Sequence, residues 1–324
     1  MKLLFKEIIS RAINKEASDV HFIPAEEVVY IKFRINDNLI NFETVNRNTY
    51  SKLLTYMKYL AGLDVSTHIT AQSGRYLYQS KQPFYLRIST LPLSLGIESC
   101  VIRLIPQYFK GQKDSKSTHV LYNLMNKKQG LILFSGPTGS GKSTLMYQMI
   151  LHAKKKLNAN IITVEDPIEQ RIEGITQITI NEKAGITYSS SFKAILRCDP
   201  DIILIGEIRD NNVAKYVIQA SLSGHLVLST IHASDCVGTL LRLREMGITE
   251  QEIKQSVLNI TNQRLLPNSE DQRELVCEMM SKADINYFFA NKETLPFEFN
   301  NLSCILSKMS KEGVICEETI DRYL

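Results

Sequence analysis

The stretch Gly136 to Thr144 reads GPTGSGKST and carries the pattern G-x-x-x-x-G-K-[ST]. The apolar run 131–135 (LILFS) before it has the length of a strand, and residues 145–151 after it place apolar side chains at helical spacing. At a turn between a strand and a helix, glycines without Cβ atoms let successive N–H groups converge on one anion, and the helix N-terminus adds partial positive charge. The stretch therefore predicts a phosphate-binding loop; a glycine-rich turn without a ligand is the alternative.

Two side chains of this loop have specific expected chemistry. Lys142 would place its ammonium on the β- and γ-phosphates of a nucleoside triphosphate, and the Ser143 hydroxyl would hold Mg²⁺. ATP and Mg²⁺ are therefore the expected cofactors. The residues expected to bind the nucleotide are Gly136, Pro137, Thr138, Gly139, Ser140, Gly141, Lys142, Ser143 and Thr144.

Composition indicates an ordinary globular chain. A length of 324 residues suggests about two domains, and 44% hydrophobic with 22% charged residues is typical of folded proteins. The net charge of +4 gives no general argument for binding to nucleic acid or to a membrane. No apolar run approaches the ~18 residues of a membrane span, and the N-terminal residues lack a signal-peptide core. The six cysteines never form C-x-x-C, so we expect reduced thiols in a cytosolic protein and no zinc site.

Periodicity and polarity divide the chain into parts. We expect an N-terminal α+β domain over 1–107, a polar linker over 108–118, a phosphate-binding α/β domain over 119–270 and a C-terminal extension over 271–324. In the first domain the predicted elements are helices at 3–13 and 50–60 and strands at 19–22, 28–35, 39–42, 76–78 and 84–89.

The second domain alternates strands with helices. This alternation predicts a mainly parallel sheet with helices on both faces. The predicted strands are 131–135, 161–164, 201–206 and 226–230, and the predicted helices are 142–156, 189–197, 210–222 and 235–246. Three lysines at 154–156 fall at the end of a helix, where cations offset the helix dipole, so we interpret them as a solvated face rather than a nucleic-acid site.

An acidic pair closes the second strand of this domain. In TVEDPIE (163–169), Glu165 and Asp166 end a strand that we expect to neighbour the phosphate loop. Open α/β sheets place their ligands at such strand ends, so the pair is expected to hold Mg²⁺ through water. A solvated acidic turn is the alternative.

A third stretch, DPDIILIGEIRD (199–210), delivers Glu207 just past an all-apolar strand. It resembles the Walker B strand of P-loop ATPases, but Gly206 fills the position of the usual metal-binding aspartate. We therefore expect Glu207 to act as general base or to position water, and Mg²⁺ to depend chiefly on Ser143, the phosphates and water. The alternative is again a turn carboxylate.

Two histidines bracket the next strand, in GHLVLSTIHASD (224–235). Either His225 or His232 is a candidate to report the state of the γ-phosphate or to hydrogen-bond the carboxylates, with His232 preferred. An isolated histidine with a structural role is the alternative.

Taken together, these motifs resemble a known family. GPTGSGKST, TVEDPIE, RCDPDIILIGEIRD and SGHLVLSTIHASD are similar in order and spacing to the Walker A, Asp box, Walker B and His box of the type II/IV secretion (traffic) ATPases. ASDVHFIP, RINDNL, QSGR and LRISTLP resemble the N-terminal domain of that family. The resemblance covers residues 15–267. It implies a RecA-like P-loop NTPase domain of α/β class after a smaller PAS-like α+β domain.

The resemblance also implies a hexameric ring in which ATP lies between the two domains. Arginines of the N-terminal domain would complete the site over the phosphates, and their motif positions here are Arg87 and Arg103, with Arg75 as a further candidate. A guanidinium is suited to spreading phosphate charge in the transition state. The alternative is that these are ordinary strand arginines.

Two differences from the usual family pattern indicate a subfamily. The C-x-x-C pairs of many family members are absent after QRLLP, as is a long domain before residue 15. A short form without zinc resembles the competence ATPases of Gram-positive bacteria, which power a pseudopilus for DNA uptake in transformation. The implied partners are further copies of the chain as a homo-hexamer, a polytopic inner-membrane pilus platform protein and, indirectly, pilin-like subunits. The implied location is the cytoplasmic face of the plasma membrane, without direct binding to nucleic acid.

Three other functions stay open. A motor for type II secretion or pilus retraction would share the same chemistry. A RecA-like DNA-binding ATPase or helicase would need basic stripes with interleaved aromatic residues, which the chain lacks. A nucleotide-binding regulator would turn over very slowly even in the presence of a membrane partner.

Overall fold

The structure is a computed structural model in which the described residues are 1–36, 38–80, 82–94, 96–107, 116–269 and 273–323. The chain divides into two compact units, Met1–Lys110 and Gly111–Leu324. Most of the predicted linker, residues 108–115, lies outside the described residues. Over the described ranges, no helix combines the length and the apolar character that crossing a membrane requires.

The first unit is an antiparallel sheet with two helices. Its elements are α1 (Lys2–Asn14), β1 (Asp19–Pro24), β2 (Val28–Ile35), β3 (Asn38–Asn46), α2 (Arg47–Leu60), β4 (Gln72–Tyr78), β5 (Phe84–Pro92) and β6 (Glu98–Pro106). The strand order is β3-β2-β1-β6-β5-β4, and every neighbouring pair is antiparallel. The α+β character predicted for this unit is confirmed, whereas β6 is a strand that the sequence did not predict.

The core of the first unit lies on one face of its sheet. Val20 and Phe22 of β1 are buried and belong to one cluster with Phe5 and Ile8 of α1 and Tyr50 of α2. Because side chains alternate along a strand, the residues between them point to the other face. That face carries the charged residues described below.

An ion pair lies inside this core. The Nζ atom of Lys58 on α2 donates to Oε2 of Glu98 on β6 at 2.5 Å and to the Thr67 carbonyl oxygen at 2.7 Å. Both charged side chains are almost fully buried, with 1% and 0% exposed. Nδ1 of His68 lies 2.8 Å from the same carboxylate oxygen. Burial raises the pKa of Glu98, but the hydrogen bonds from Lys58 and His68 outweigh it, so its pKa is lowered.

Replacing Lys58 with methionine is expected to lower the free energy of unfolding by about 3–5 kcal/mol, because the buried Glu98 carboxylate loses its ammonium partner. Adding Glu98→Gln is expected to recover much of this loss, since the buried group is then neutral. Urea denaturation of both variants measures the effect.

The same ion pair makes stability depend on pH. Because the pKa of Glu98 is lower in the folded protein than its ordinary value of 4.5, the pair stabilises the fold fully above pH 4.5. This stabilisation is lost as the pH falls through the pKa of Glu98 in the folded protein. Equal stability of K58M and the wild type at pH 7 would contradict the prediction.

The second unit contains a seven-stranded sheet. Its elements are α3 (Lys116–Leu124), β7 (Gly130–Ser135), α4 (Lys142–Leu157), β8 (Ile161–Glu165), β9 (Thr176–Thr179), α5 (Tyr188–Ile195), β10 (Ile202–Ile205), α6 (Asn211–Leu222), β11 (Leu226–Ile231), α7 (Cys236–Glu245), α8 (Glu250–Ser256), β12 (Val257–Pro267), β13 (Arg273–Ser281), α9 (Lys282–Ala290), α10 (Leu302–Lys311) and α11 (Glu317–Tyr323). The strand order is β13-β12-β7-β11-β10-β8-β9. Among the described residues of this sheet, the β12–β13 pair is antiparallel and the other neighbouring pairs are parallel. The predicted, mainly parallel α/β sheet is confirmed.

Helices cover both faces of this sheet. Leu131 and Leu133 of β7 belong to a hydrophobic cluster with residues of α5 to α9. The alternate residues Ile132 and Phe134 are equally buried, do not belong to that cluster and point to the opposite face. The strand that precedes the phosphate loop is thus central and buried on both sides.

The strand order corrects one expectation. Glu165 was predicted on a strand next to the phosphate loop, but its strand β8 is separated from β7 by β11 and β10. The direct neighbours of β7 are β11, which leads to His232, and β12. The crossover from β7 through α4 skips two positions that later strands fill, and order along the chain does not reveal this.

Residues 273–323 belong to the second unit. Glu278 on β13 is 2% exposed, and its two carboxylate oxygens accept hydrogen bonds from the backbone N–H groups of Cys236 at 2.7 Å and Leu302 at 2.8 Å. These are the first residues of α7 and α10, and helix N-termini favour a carboxylate. Glu278 therefore connects β13 with both the helix after His232 and the C-terminal helices.

Candidate nucleotide-binding site

The phosphate loop connects β7 with α4. Gly136, Gly139 and Gly141 have φ angles of 129°, 84° and 86°, in the region that favours glycine. Gly141 is the N-cap of the 16-residue helix α4, so the first N–H groups of that helix are directed at the loop. A Cβ atom on Gly136 would lie 2.4 Å from the carbonyl oxygen of Gln263. This backbone has the geometry of an anion-binding turn.

The Lys142 side chain lies within the curl of the loop. Its Nζ donates to the carbonyl oxygens of Gly136 and Pro137, each at 2.8 Å. Burial lowers the pKa of this ammonium, and the nearby Glu207 carboxylate opposes the shift. Ser143 follows in the first turn of α4 and is partly exposed. Backbone N–H groups, one ammonium and one hydroxyl form a donor set that fits a phosphate with its Mg²⁺.

The other loop residues differ in exposure. Pro137, Thr138 and Gly139 form an exposed tip, and Thr144 is exposed on the first turn of α4. Ser140 is 3% exposed, and its hydroxyl has no hydrogen-bond partner among the described residues. The tip is therefore the open side of the loop, where a ligand has access.

Glu165 ends β8 in a buried network. Its side chain accepts hydrogen bonds from the hydroxyls of Tyr147 on α4 and Thr163, the latter at 2.6 Å, and a long one from Gln177 on β9 at 3.5 Å. Glu165 is 5% exposed, and this burial raises its pKa despite the three donors. The structure thus ties Glu165 to the phosphate-loop helix through Tyr147, while its predicted role toward Mg²⁺ stays a prediction.

Glu207 lies in a second, more open network. Its Oε2 accepts from Nε of Arg209 at 2.8 Å, and its Oε1 lies 3.1 Å from Nε2 of His232. Arg209 Nη1 also donates to Oδ2 of Asp166 at 2.8 Å, so the guanidinium joins the ends of β10 and β8. The hydroxyl of Tyr188, whose pKa burial raises to about 12, lies near these groups and has no hydrogen-bond partner in the described part of the chain.

The two candidate histidines lie at opposite ends of β11. His232 follows the strand and shares its edge with Glu207. His225 precedes the strand, and its Nδ1 lies 3.3 Å from the Ala220 carbonyl oxygen. The structure therefore places His232, and not His225, at the site.

Strand β12 contributes residues that were not predicted for the site. Asn262 Nδ2 donates to the Ser135 hydroxyl at 2.9 Å, and Arg264 Nη2 donates to the Ser234 carbonyl oxygen at 2.8 Å. The Gln263 carbonyl oxygen lies close to Gly136. Three successive residues of β12, 262–264, thus contact the phosphate-loop region and the loop after His232. The only sequence signal was the QRLLP stretch at the end of the family resemblance.

The arginines predicted from the first unit lie in one row across its sheet. Arg75, Arg87 and Arg103 are paired in register on β4, β5 and β6, and the row continues through Asp19 on β1 to Arg34 on β2. Nε of Arg103 donates to Oδ1 of the buried Asp19 at 2.9 Å. Arg87 and Arg103 are exposed, and their contact with a nucleotide stays a prediction.

The parallel sheet, the glycine-rich loop between β7 and α4 and the polar strand ends define a P-loop NTPase with a RecA-like core. The chain belongs to the type II/IV secretion system protein family, whose model matches residues 1–312. The family expected from the motifs is thereby confirmed.

The chain is similar to proteins named for competence and for type II secretion. The competence protein ComGA of Bacillus subtilis strain 168 is 40% identical over 267 residues, covering 81% of this chain and 75% of the relative. Type II secretion system protein E of Pectobacterium carotovorum subsp. carotovorum is 39% identical over 274 residues, covering 81% of this chain and 54% of the relative.

Solved structures agree with the fold class. The pilus retraction motor PilT, determined with bound ADP, superposes with a TM-score of 0.72 at 25% identity, covering 98% of this chain and 96% of that one. The ATPase DotB of Legionella pneumophila superposes with a TM-score of 0.78 over 99% and 95% of the two chains. At 18% identity, the likeness to DotB supports the fold alone.

Proposed function

We propose that this protein is a motor ATPase that drives assembly of a competence pseudopilus for DNA uptake. The observation that carries the ATPase part is the phosphate loop with Lys142 near Glu207, whose carboxylate contacts Arg209 and His232. The competence part is supported by the 40% identity with ComGA over 81% of this chain. The reaction is hydrolysis of ATP to ADP and phosphate.

Each site residue has a distinct task in this proposal. The loop N–H groups and Lys142 bind the phosphates. Ser143 would hold Mg²⁺, and Glu207 and Glu165 would help to hold it through water. When bound, Mg²⁺ would neutralise part of the negative charge of the phosphates. Glu207 accepts a proton from the attacking water through Oε1, the oxygen that lies 3.1 Å from Nε2 of His232.

The assembly follows from the same proposal. The chain forms a homo-hexamer at the cytoplasmic face of the plasma membrane and acts on a polytopic pilus platform protein, through which pilin-like subunits are extruded. Arg87 and Arg103 contact the nucleotide phosphates, because a row of guanidinium groups is suited to phosphate charge.

The ATPase part is tested by phosphate release from the purified full chain with ATP and Mg²⁺, alone and with membranes that contain the platform protein. Turnover that rises with the membranes supports the motor. Stimulation by single-stranded DNA with a steep salt dependence would instead favour a RecA-like DNA-binding ATPase. Turnover that stays negligible with the membranes would indicate a nucleotide-binding regulator.

The partner is tested by a pull-down from membranes with the Lys142→Ala form. Capture of a polytopic membrane protein is expected, whereas recovery of nucleic acid alone would contradict the motor proposal.

A second candidate function is type II secretion, favoured by the 39% identity with protein E of Pectobacterium. The two functions differ in the phenotype of a deletion strain. Loss of transformation is expected for the competence motor. A strain that still transforms but fails to secrete a protein would overturn the competence proposal.

A further inference from the structure

One arginine joins two carboxylates from the ends of different strands. Arg209 uses Nε for Oε2 of Glu207 and Nη1 for Oδ2 of Asp166, both at 2.8 Å. Glu207 follows β10 and Asp166 follows β8, and these strands are paired in parallel. A planar guanidinium can serve both carboxylates in fixed directions, which the compact ammonium of lysine cannot do.

The backbone around Arg209 is held firmly. Gly206 N–H donates to the Val164 carbonyl oxygen at 2.8 Å, and the backbone of Ile208 donates to the Thr230 carbonyl oxygen at 2.8 Å. Ile208 is 2% exposed, and Asp210 caps α6. Gly206 and Ile208 are thus anchored to the neighbouring strands, while the side chains of Glu207 and Arg209 beside them are 24% and 49% exposed.

The two contacts of Glu207 differ in chemistry. The guanidinium of Arg209 keeps its charge at all physiological pH values, and the hydrogen bond to Glu207 raises its pKa further. His232, 57% exposed at its side chain, lies 3.1 Å from the other oxygen, Oε1. Because Asp166 holds the Arg209 guanidinium from a second side, the Arg209 contact is the better fixed of the two, and Oε1 is the oxygen at which water can replace His232.

We propose that Arg209 is a positioning residue that holds Oε2 of Glu207, with Asp166 as its second anchor, so that Oε1 is presented to the attacking water. The inference rests on the proposed hydrolysis of ATP. It assigns a role to Asp166 that does not require contact with metal or nucleotide.

The expected effect is on catalysis rather than on stability. Side chains of Arg209, Asp166 and Glu207 are 49%, 39% and 24% exposed, and exposed ion pairs contribute little to folding. A misplacement of about 1 Å in a catalytic group, in contrast, can lower turnover by roughly 10²-fold. Arg209 is thus dispensable for the fold but needed for the geometry of Glu207.

The experiment compares R209Q, R209K, D166N and the double variant D166N/R209Q in the full chain. We expect R209Q to lower kcat by about 10- to 10²-fold with ATP affinity unchanged within about two-fold, and R209K to lie between R209Q and the wild type. D166N is expected to show a smaller loss that disappears in the R209Q background, because Asp166 acts through Arg209. The control R242Q removes an exposed ion pair of 3.0 Å with Glu245 on α7 and is expected to retain wild-type kcat.

Three results would overturn the inference. They are wild-type kcat in R209Q, a D166N effect that persists undiminished in R209Q, and a loss of ATP affinity or thermal stability in R209K as large as its loss of kcat. If the wild type hydrolyses ATP and R209Q has the same kcat, the positioning role is contradicted and the proposed function is not. A wild type that hydrolyses no ATP under any tested condition contradicts the proposed function and the positioning role together.

Discussion

Replacing Glu207 with glutamine is expected to lower kcat for ATP hydrolysis by about 10²- to 10⁴-fold while ATP binding is largely retained. Glutamine has the same shape, and its carbonyl oxygen can still accept the Arg209 hydrogen bond that holds Oε2 at 2.8 Å. It cannot take a proton from water. Steady-state phosphate release measures kcat, and fluorescence titration with a labelled nucleotide measures binding.

The matched control is Glu245→Gln, which neutralises a 64% exposed carboxylate on α7. It is expected to hydrolyse ATP at the wild-type rate. Full hydrolysis by E207Q would remove Glu207 from the mechanism, and loss of nucleotide binding in E207Q would show that it acts in binding instead.

The second large effect is expected for Lys142→Ala. Loss of a charge-assisted contact with phosphate lowers affinity by roughly 10- to 10²-fold. Loss of the same contact in the transition state lowers kcat by about 10²- to 10³-fold, so kcat/KM falls by about 10³- to 10⁵-fold. Among the described residues its ammonium donates hydrogen bonds only to two loop carbonyl oxygens, so thermal stability is expected to change little.

Lys155→Ala provides the control for Lys142, because Lys155 is an exposed residue in the last turn of the same helix. It is expected to bind and hydrolyse ATP normally. Calorimetric titration and phosphate release compare the two variants. Wild-type affinity in K142A would show that the loop does not bind the phosphates through this lysine.

The fold was predictable where the residue pattern is local. The glycines and the apolar run LILFS indicated the turn between β7 and α4, and alternation of strands with helices indicated the parallel sheet. Strand β12 was not predicted because its buried residues Asn259, Thr261 and Gln263 are polar and interrupt the hydrophobic pattern. Strand β9 is short and partly exposed at the sheet edge, which leaves no buried face to detect.

The candidate site was predictable as a set of residues but not as a set of contacts. Glu207 and His232 were singled out from strand ends, and the structure brings them within 3.1 Å. Arg209 lies in the same quoted stretch, but its bond to Asp166 spans 43 positions of the chain and was not predicted. The hydrogen bond from the Tyr147 hydroxyl to Glu165 was not predicted either. Tyr147 lies on α4, and the periodicity of that helix indicates which residues are buried but not which partners they contact.

The sequence by itself determined the phosphate loop, the family and the identity of the catalytic candidates, because glycine conformation, helix start and side-chain chemistry depend on contiguous residues. Only the tertiary structure decided that β11 and β10 lie between β7 and β8, and that Arg209 joins two strand ends. The order of strands in a parallel sheet depends on how long crossovers pack against both faces, and that packing involves residues far apart in the chain. Gly136 to Thr144 specifies where phosphate binds; the strands assembled beside it specify which carboxylate faces water.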